Sequence, residues 1–238
     1  MKKNDKIVYL VLGLILVFGL LLRVYALGVP VMWFDETITG LTAQDITEKG
    51  IPMYDSGFTI GSTFVFHYLV ALFMLIFGAG DFGARIVSVI FGLATIVLAF
   101  FIGREFGKGE EGRVIGLVGA LLTAVLYFEV LYSRQARFYQ MFQFLFFLTL
   151  FFLYKSKDDK KWAWMACVSL VLLLDTHVEG LVILPIMFYI FWMEQRDWKL
   201  LIIPVLALLW YGKFFLFTSY GDEGMAQIYL ENYTGALF

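Results

Sequence analysis

Seven apolar runs, each as long as a membrane span or nearly so, leave few ways to fold this chain. They cover about residues 7–27, 84–106, 114–131, 138–155, 161–176, 180–195 and 199–217. A helix rises about 1.5 Å per residue, so about 20 apolar residues cross about 30 Å of hydrocarbon. With 61% hydrophobic and 16% charged residues and a mean hydropathy of +0.82, the chain lies outside the usual range of soluble domains, roughly 45–50% apolar and about 25% charged. The expected fold is therefore all-α and integral to a membrane, a single module over residues 1–238. The first run follows Lys2, Lys3 and Lys6 without a small-residue cleavage signature and reads as a retained helix, not a signal peptide. The stretches 162–176 and 180–193 are short for spans, and Asp175, His177 and Glu179 separate them. Two short helices joined by a buried polar turn account for both.

An eighth apolar run, Phe64 to Phe77, holds 14 residues including His67 and would reach only about 21 Å. Counting it as a span inverts every later loop, so the distribution of basic residues decides. Seven spans place Lys2, Lys3, Lys6, Arg104, Lys108, Arg113, Lys155, Lys157, Lys160, Lys161, Arg196 and Lys199 inside; eight leave only Lys2, Lys3, Lys6, Arg85, Arg134, Arg137 and Lys213 there. The seven-span topology follows, with a cytoplasmic N-terminus and an outer first loop over 28–83. That loop holds two juxtamembrane helices, one in the polar segment from Asp35 to Lys49 and one in the 64–77 run.

No repeat or linker divides the chain. The net charge of -2 and pI near 5.7 offer no basic surface for nucleic acid. Cys167 is the single cysteine, so no disulfide framework exists. Asn232-Tyr233-Thr234 matches a glycosylation acceptor pattern, a weak signal at three residues.

The seven-span topology gathers Arg23, Asp35, Glu36, His67, Arg85, Glu129, Arg134, Arg137, Asp175, His177 and Glu179 at the outer ends of the helices. Ionisable groups at membrane depth cost a few kcal/mol each and call for pairing or function. Asp35 and Glu36, after Trp33 and Phe34, could supply a general base or share a divalent ion, while Asp35 could equally cap a helix starting at Glu36, with Ile38, Leu41 and Ile46 on its buried face and Gly50 past its end. Arg134 and Arg137, with Tyr139 beside them, suit a phosphate, because guanidinium binds it bidentately and stays charged. They could instead pair with Glu129 or Asp35, or snorkel to lipid phosphates. His177 and Glu179, joined by Glu36, could ligate Zn, Mn or Mg.

A first span, a carboxylate pair in a long outer loop, an interfacial helix ending in Phe-Gly, then Phe82-Gly83-Ala84-Arg85 and a Ser-Arg-x-Ala-Arg segment resemble the GT-C membrane glycosyltransferases, nearest to the protein O-mannosyltransferase and aminoarabinose transferase group. The resemblance spans about residues 7–217. It implies a polyprenyl-phosphate sugar donor, a lipid, glycan or protein acceptor with a hydroxyl or amine, and an active site on the outer or lumenal face of the membrane, here a prokaryotic plasma membrane. Asp35 matches the family's catalytic aspartate and Glu36 its acidic neighbour. Arg85, Arg134, Arg137 and Tyr139 fall where donor phosphate is bound, and Trp33 and His67 where acceptor or sugar would be met. Glu179 stands where some relatives carry a lysine. Family members normally continue into further spans, so the resemblance implies the shared seven-helix module. A single carboxylate base fits an inverting displacement. A polytopic transporter or lipid flippase, or a noncatalytic assembly subunit of the same fold, would also use buried charges at helix ends.

Overall fold

The computed structural model describes residues 3–52, 63–107 and 109–212. Among these there are helices and no strands: α1 (Lys3–Val24), α2 (Phe34–Lys49), α3 (Phe64–Phe77), α4 (Asp81–Phe106), α5 (Gly109–Val125), α6 (Tyr127–Ser133), α7 (Tyr139–Lys155), α8 (Lys161–Thr176), α9 (Ile183–Phe188) and α10 (Ile202–Tyr211). Short 3-10 turns over 178–182 and 198–201 and a π-helical turn over 189–194 flank α9. The acceptor pattern at Asn232 lies outside the described residues.

Among the described residues two helices can cross a membrane by length and composition, Asp5–Val24 and Asp81–Phe106, and a third if α5 and α6 count as one span bent by 60°. This is fewer than the seven runs suggest. Helices α7 and α8 hold 17 and 16 residues, about 25 Å of rise each, and the 180–195 run is divided among 3-10, α and π turns. Nevertheless the ends of the helices are segregated. At one end, Arg113 bonds Asp5, Arg104 bonds Tyr9 and Lys155 bonds Glu105, joining the start of α1 and α5 to the finish of α4 and α7. Helices α1, α4, α5 and α7 therefore alternate in direction. The α2 N-terminus and the α6–α7 turn meet at the other end.

Close packing of α4 on α5 depends on small residues. A Cβ on Gly103 would lie 2.7 Å from the Cα of Gly116, so the two backbones touch where larger side chains would hold them apart. The main core joins the inner faces of α3, α4, α7, α8 and α10, including Phe66, Val87, Met141, Leu170 and Ile203.

Helix α2 departs from its expected form. It begins at Phe34, with Trp33 as N-cap, so Asp35 lies inside the first turn and does not cap it. The buried face is Glu36, Thr39, Thr42, Ala43 and Ile46, while Leu41 is exposed. Anchoring of Glu36 in the protein interior sets this register, overriding the apolar pattern. Gly50 ends the helix at φ 80°, a left-handed C-cap that glycine adopts without a Cβ penalty.

Two arginines close helix ends that would otherwise leave bare carbonyls. The α5–α6 break strands the last carbonyls of α5, and Arg23, 0% exposed, donates to Thr123 O at 3.0 Å and Ala124 O at 2.9 Å. Its Nε donates to Ser133 Oγ at 3.0 Å. Arg134 Nη1 does the same for α1, donating to the carbonyls of Leu22, Arg23 and Tyr25.

Candidate active site

The polar site forms where the first turn of α2 meets the α6–α7 turn. Glu36 is buried and accepts four donors: Arg85 Nε on Oε1 at 2.8 Å, Arg85 Nη2 on Oε2 at 2.9 Å, the Ala136 N–H on Oε1 at 2.6 Å and the Trp33 N–H on Oε2 at 3.4 Å. Arg85 Nη1 donates to Leu27 O and Pro30 O at 2.8 and 2.7 Å. One bidentate pair thus ties α2, α4, the α1–α2 connection and the α6–α7 turn together. Four of Arg85's five donors are used inside the protein.

Asp35 and Arg137 are differently placed. Successive helical residues turn by about 100°, so the inward setting of Glu36 turns Asp35 to another side. The Asp35 side chain is 31% exposed, and its Oδ2 stands 3.7 Å from Arg137 Nη2. Arg137 Nη1 donates to the Asp35 carbonyl at 3.3 Å, while its Nε is buried with no partner among the described residues. The guanidinium lies over Phe138 at 5.0 Å and Tyr139 at 5.5 Å. The Arg137 backbone is fixed by Ser88, whose hydroxyl donates to its carbonyl at 3.1 Å. Gln135 Oε1, two residues away, is also buried without a donor among the described residues.

Histidines lie on both flanks. His67 of α3 is buried, with Nδ1 3.1 Å from Thr63 Oγ1. Burial, and then the charge of Arg137, push its imidazole down to about 3, so the ring is neutral at physiological pH. Asp175, at the end of α8, accepts from the Val65 N–H at 2.9 Å and thereby fixes the start of α3. His177 stacks on the Phe138 ring that also carries Arg137, at 5.6 Å between centroids, and meets Phe142 edge-on. Its Nδ1 accepts from the Glu179 N–H at 3.3 Å, which leaves the proton of a neutral ring on Nε2. Trp33 is exposed at the mouth of α2, and Tyr139 packs edge-on to Tyr132.

The candidate metal ligands are not assembled among the described residues. Both Glu36 oxygens are occupied by N–H donors, and among the described residues no three His, Cys, Asp or Glu side chains come together. His177 and Glu179 approach one another at 3.8 Å on an exposed turn without a third ligand.

Of the residues singled out in the sequence, Trp33, Asp35, Glu36, Arg85 and Arg137 come together, with His67, Tyr139 and His177 around Arg137. Arg134 is turned toward the end of α1. The sequence gives no role to Gln135, Ser88 or the Ala136 N–H, and shows Phe138 only as an aromatic beside Arg137. An aromatic beside an arginine was the only available sign of Phe138; a backbone donor leaves no sign in sequence.

An all-helical chain with apolar helices of membrane length and its buried charge gathered at one end of them is an integral membrane protein with a polar site near the membrane boundary. A family model described as dolichyl-phosphate-mannose-protein mannosyltransferase matches residues 62–217, and the chain belongs to that family. It is accordingly a membrane glycosyltransferase of the GT-C type. No curated protein matches the chain. The matched segment starts beyond α2, so it includes Arg85, Arg134 and Arg137 but not Asp35 or Glu36.

Proposed function

We propose that the chain transfers a sugar from a polyprenyl-phosphate donor to an acceptor hydroxyl or amine at the outer or lumenal membrane face, with Asp35 as general base and Arg137 as the donor-phosphate ligand. The observation that carries this reading is the loose Asp35–Arg137 pair, a partly exposed carboxylate 3.7 Å from a guanidinium nitrogen, Nη2, that makes no shorter bond among the described residues. Arg23, Arg85 and Arg134 are engaged with backbone carbonyls or with Glu36. Of the four arginines, Arg137 is the one whose guanidinium stands beside the Asp35 carboxylate.

In the proposed reaction Asp35 takes the acceptor proton as the acceptor atom bonds to the sugar's anomeric carbon. The bond from that carbon to the phosphate oxygen breaks on the opposite face, giving inversion. Arg137 stabilises the charge that the leaving phosphate regains, in a setting where fixed donors do not have to reorganise. Glu36 and Arg85 are positioning residues: their pair holds both the α2 turn and Ala136, next to Arg137. Trp33 offers a face to the acceptor, and neutral His67 keeps a second positive charge away from Arg137. Seven crossings, α2 and α3 outside and a cytoplasmic N-terminus complete the reading, supported by the alternation of α1, α4, α5 and α7.

Incubating the purified chain with short-chain prenyl-phosphate mannose and candidate acceptors tests the reading. Transfer, or slow release of free sugar without an acceptor, is expected. Neither transfer nor hydrolysis, with the donor bound, would favour a noncatalytic subunit of the same fold.

A further inference from the structure

The turn that carries Arg137 is clasped from inside the protein. Residues 134–138 run between Ser133, the last residue of α6, and Gln140, in the first turn of α7, and both of these side chains are buried. Gln140 Oε1 lies 3.2 Å from Ser133 Oγ, whose hydroxyl proton it shares with the Glu129 carbonyl. Ser133 Oγ in turn accepts from Arg23 Nε at 3.0 Å. Helix α4 makes room for this meeting. A Cβ on Gly92 would overlap Ser133 Oγ and lie 2.9 Å from Arg23 Nε, so no larger residue fits there while the bond stands.

The other side of Gln140 sets its orientation. An ionised carboxylate only accepts hydrogen bonds, so amides that meet Glu129 turn their nitrogens toward it. Gln140 Nε2 stands 3.3 Å from Glu129 Oε2, and Gln143 Nε2 donates to Oε1. Gln140 Nε2 also reaches Thr95 Oγ1 of α4 at 3.3 Å. With its nitrogen drawn to α4 and α6, the Gln140 amide has its oxygen facing Ser133. A carboxylate among membrane helices is costly and calls for pairing or function. Here two neutral amides receive it, and the bond across the Arg137 turn depends on it.

We propose that Glu129 and Gln140 are positioning residues for Arg137, holding its turn closed so that the guanidinium keeps its place beside Asp35. The effect on donor binding rests on Arg137 as the donor-phosphate ligand; the effect on the turn does not.

Hydrogen–deuterium exchange of the full chain in detergent, read at the hydrogen-bonded amides of residues 134–137, together with the affinity for short-chain prenyl-phosphate mannose, tests the proposal. Gln140→Leu is expected to speed exchange in the turn about tenfold and to weaken donor binding about tenfold, the equivalent of one hydrogen bond. Glu129→Gln keeps the shape of the side chain but lets its partner amides turn either way; it should act in the same direction, and it decides the matter if Gln140→Leu does not fold. Thr149→Val is the control, because it removes a buried bond to Ser169 Oγ farther along α7 and should lower the melting temperature while leaving both readings unchanged. Donor affinity lost through Glu129→Gln should not be lost again in an Arg137→Lys background, since the effect passes through the guanidinium, whereas a general loss of packing would add. Unchanged exchange at 134–137 in the folded variants overturns the proposal. So does a loosened turn with unchanged donor affinity, or a donor loss that adds to that of Arg137→Lys. A parent chain that binds no donor would remove the donor reading instead, and the exchange comparison with the Thr149→Val control would then decide the proposal alone.

Discussion

Arg137 stands 3.7 Å from the Asp35 carboxylate, nearly an ångström farther than Arg85 stands from Glu36 at 2.8 Å. The two pairs share the α2 turn and differ in work. The tight one is buried and closed on both sides, so it fixes geometry. The loose one leaves the carboxylate open to solvent and the guanidinium partly unspent, so each can meet a substrate.

Arg137→Lys keeps the charge and discards the planar fork. Binding of a prenyl-phosphate sugar, followed by titration of the purified protein, should weaken by about tenfold, the scale of one lost charge-assisted bond. The melting temperature should change little, since Ser88 holds the Arg137 backbone, not its side chain.

Glu36 and Arg85 should behave as one unit. Glu36→Ala leaves a buried guanidinium unpaired and should cost about 3–5 kcal/mol, whereas Glu36→Ala with Arg85→Met should recover part of that loss. Thermal unfolding of the four proteins of the cycle in detergent gives the coupling, expected above about 1 kcal/mol. Additive losses would mean that the pair is not the joint described above.

His67 gives a pH dependence with a definite sign. Its pKa is about 3 in the fold against 6.5 ordinarily, so between these values the unfolded chain binds more protons. The His67 contribution is fully present above pH 6.5 and is lost as the pH falls toward 3. From pH 6.5 to 5 the loss is about 2 kcal/mol. His67→Gln should flatten that part of the stability profile relative to the parent.

Topology can be read at Ala79, an exposed residue between α3 and α4. After replacement of Cys167, a cysteine at this position should react with an impermeant thiol reagent added outside intact cells. Labelling only from the cytoplasmic side would make α3 a span and reverse every later loop.

The apolar runs identified most helices because hydrophobicity is a local property of the chain. The runs at 64–77 and 161–176 match α3 and α8 closely, while the polar turn at 175–179, expected to be buried, buries Asp175 and Thr176 and leaves Val178 and Glu179 exposed. Span length was less legible. The break at Leu126 has no proline or glycine to announce it; Arg23 stabilises it from 100 residues away in sequence. The site was legible as a set of residue types and not as a division of labour. Four arginines look alike in sequence, and only their partners show that Arg134 closes α1, Arg23 closes α5, Arg85 holds Glu36 and Arg137 faces Asp35. The α2 register was misjudged for the same reason: a long-range ion pair turned Glu36 inward and left Leu41 exposed.

The most direct test is the rate of sugar transfer by Asp35→Asn measured beside its donor affinity. Asparagine keeps the size of the side chain and the backbone carbonyl that accepts from Thr39 and Arg137, and it gives up the base, the charge of the loose 3.7 Å pair with Arg137 and about 0.3–1 kcal/mol of helix-dipole interaction. If Asp35 is the general base, turnover falls by about 100-fold or more while donor binding and melting temperature stay close to those of the parent. Transfer at near the parental rate with the donor bound normally would contradict the account and remove Asp35 from the chemistry.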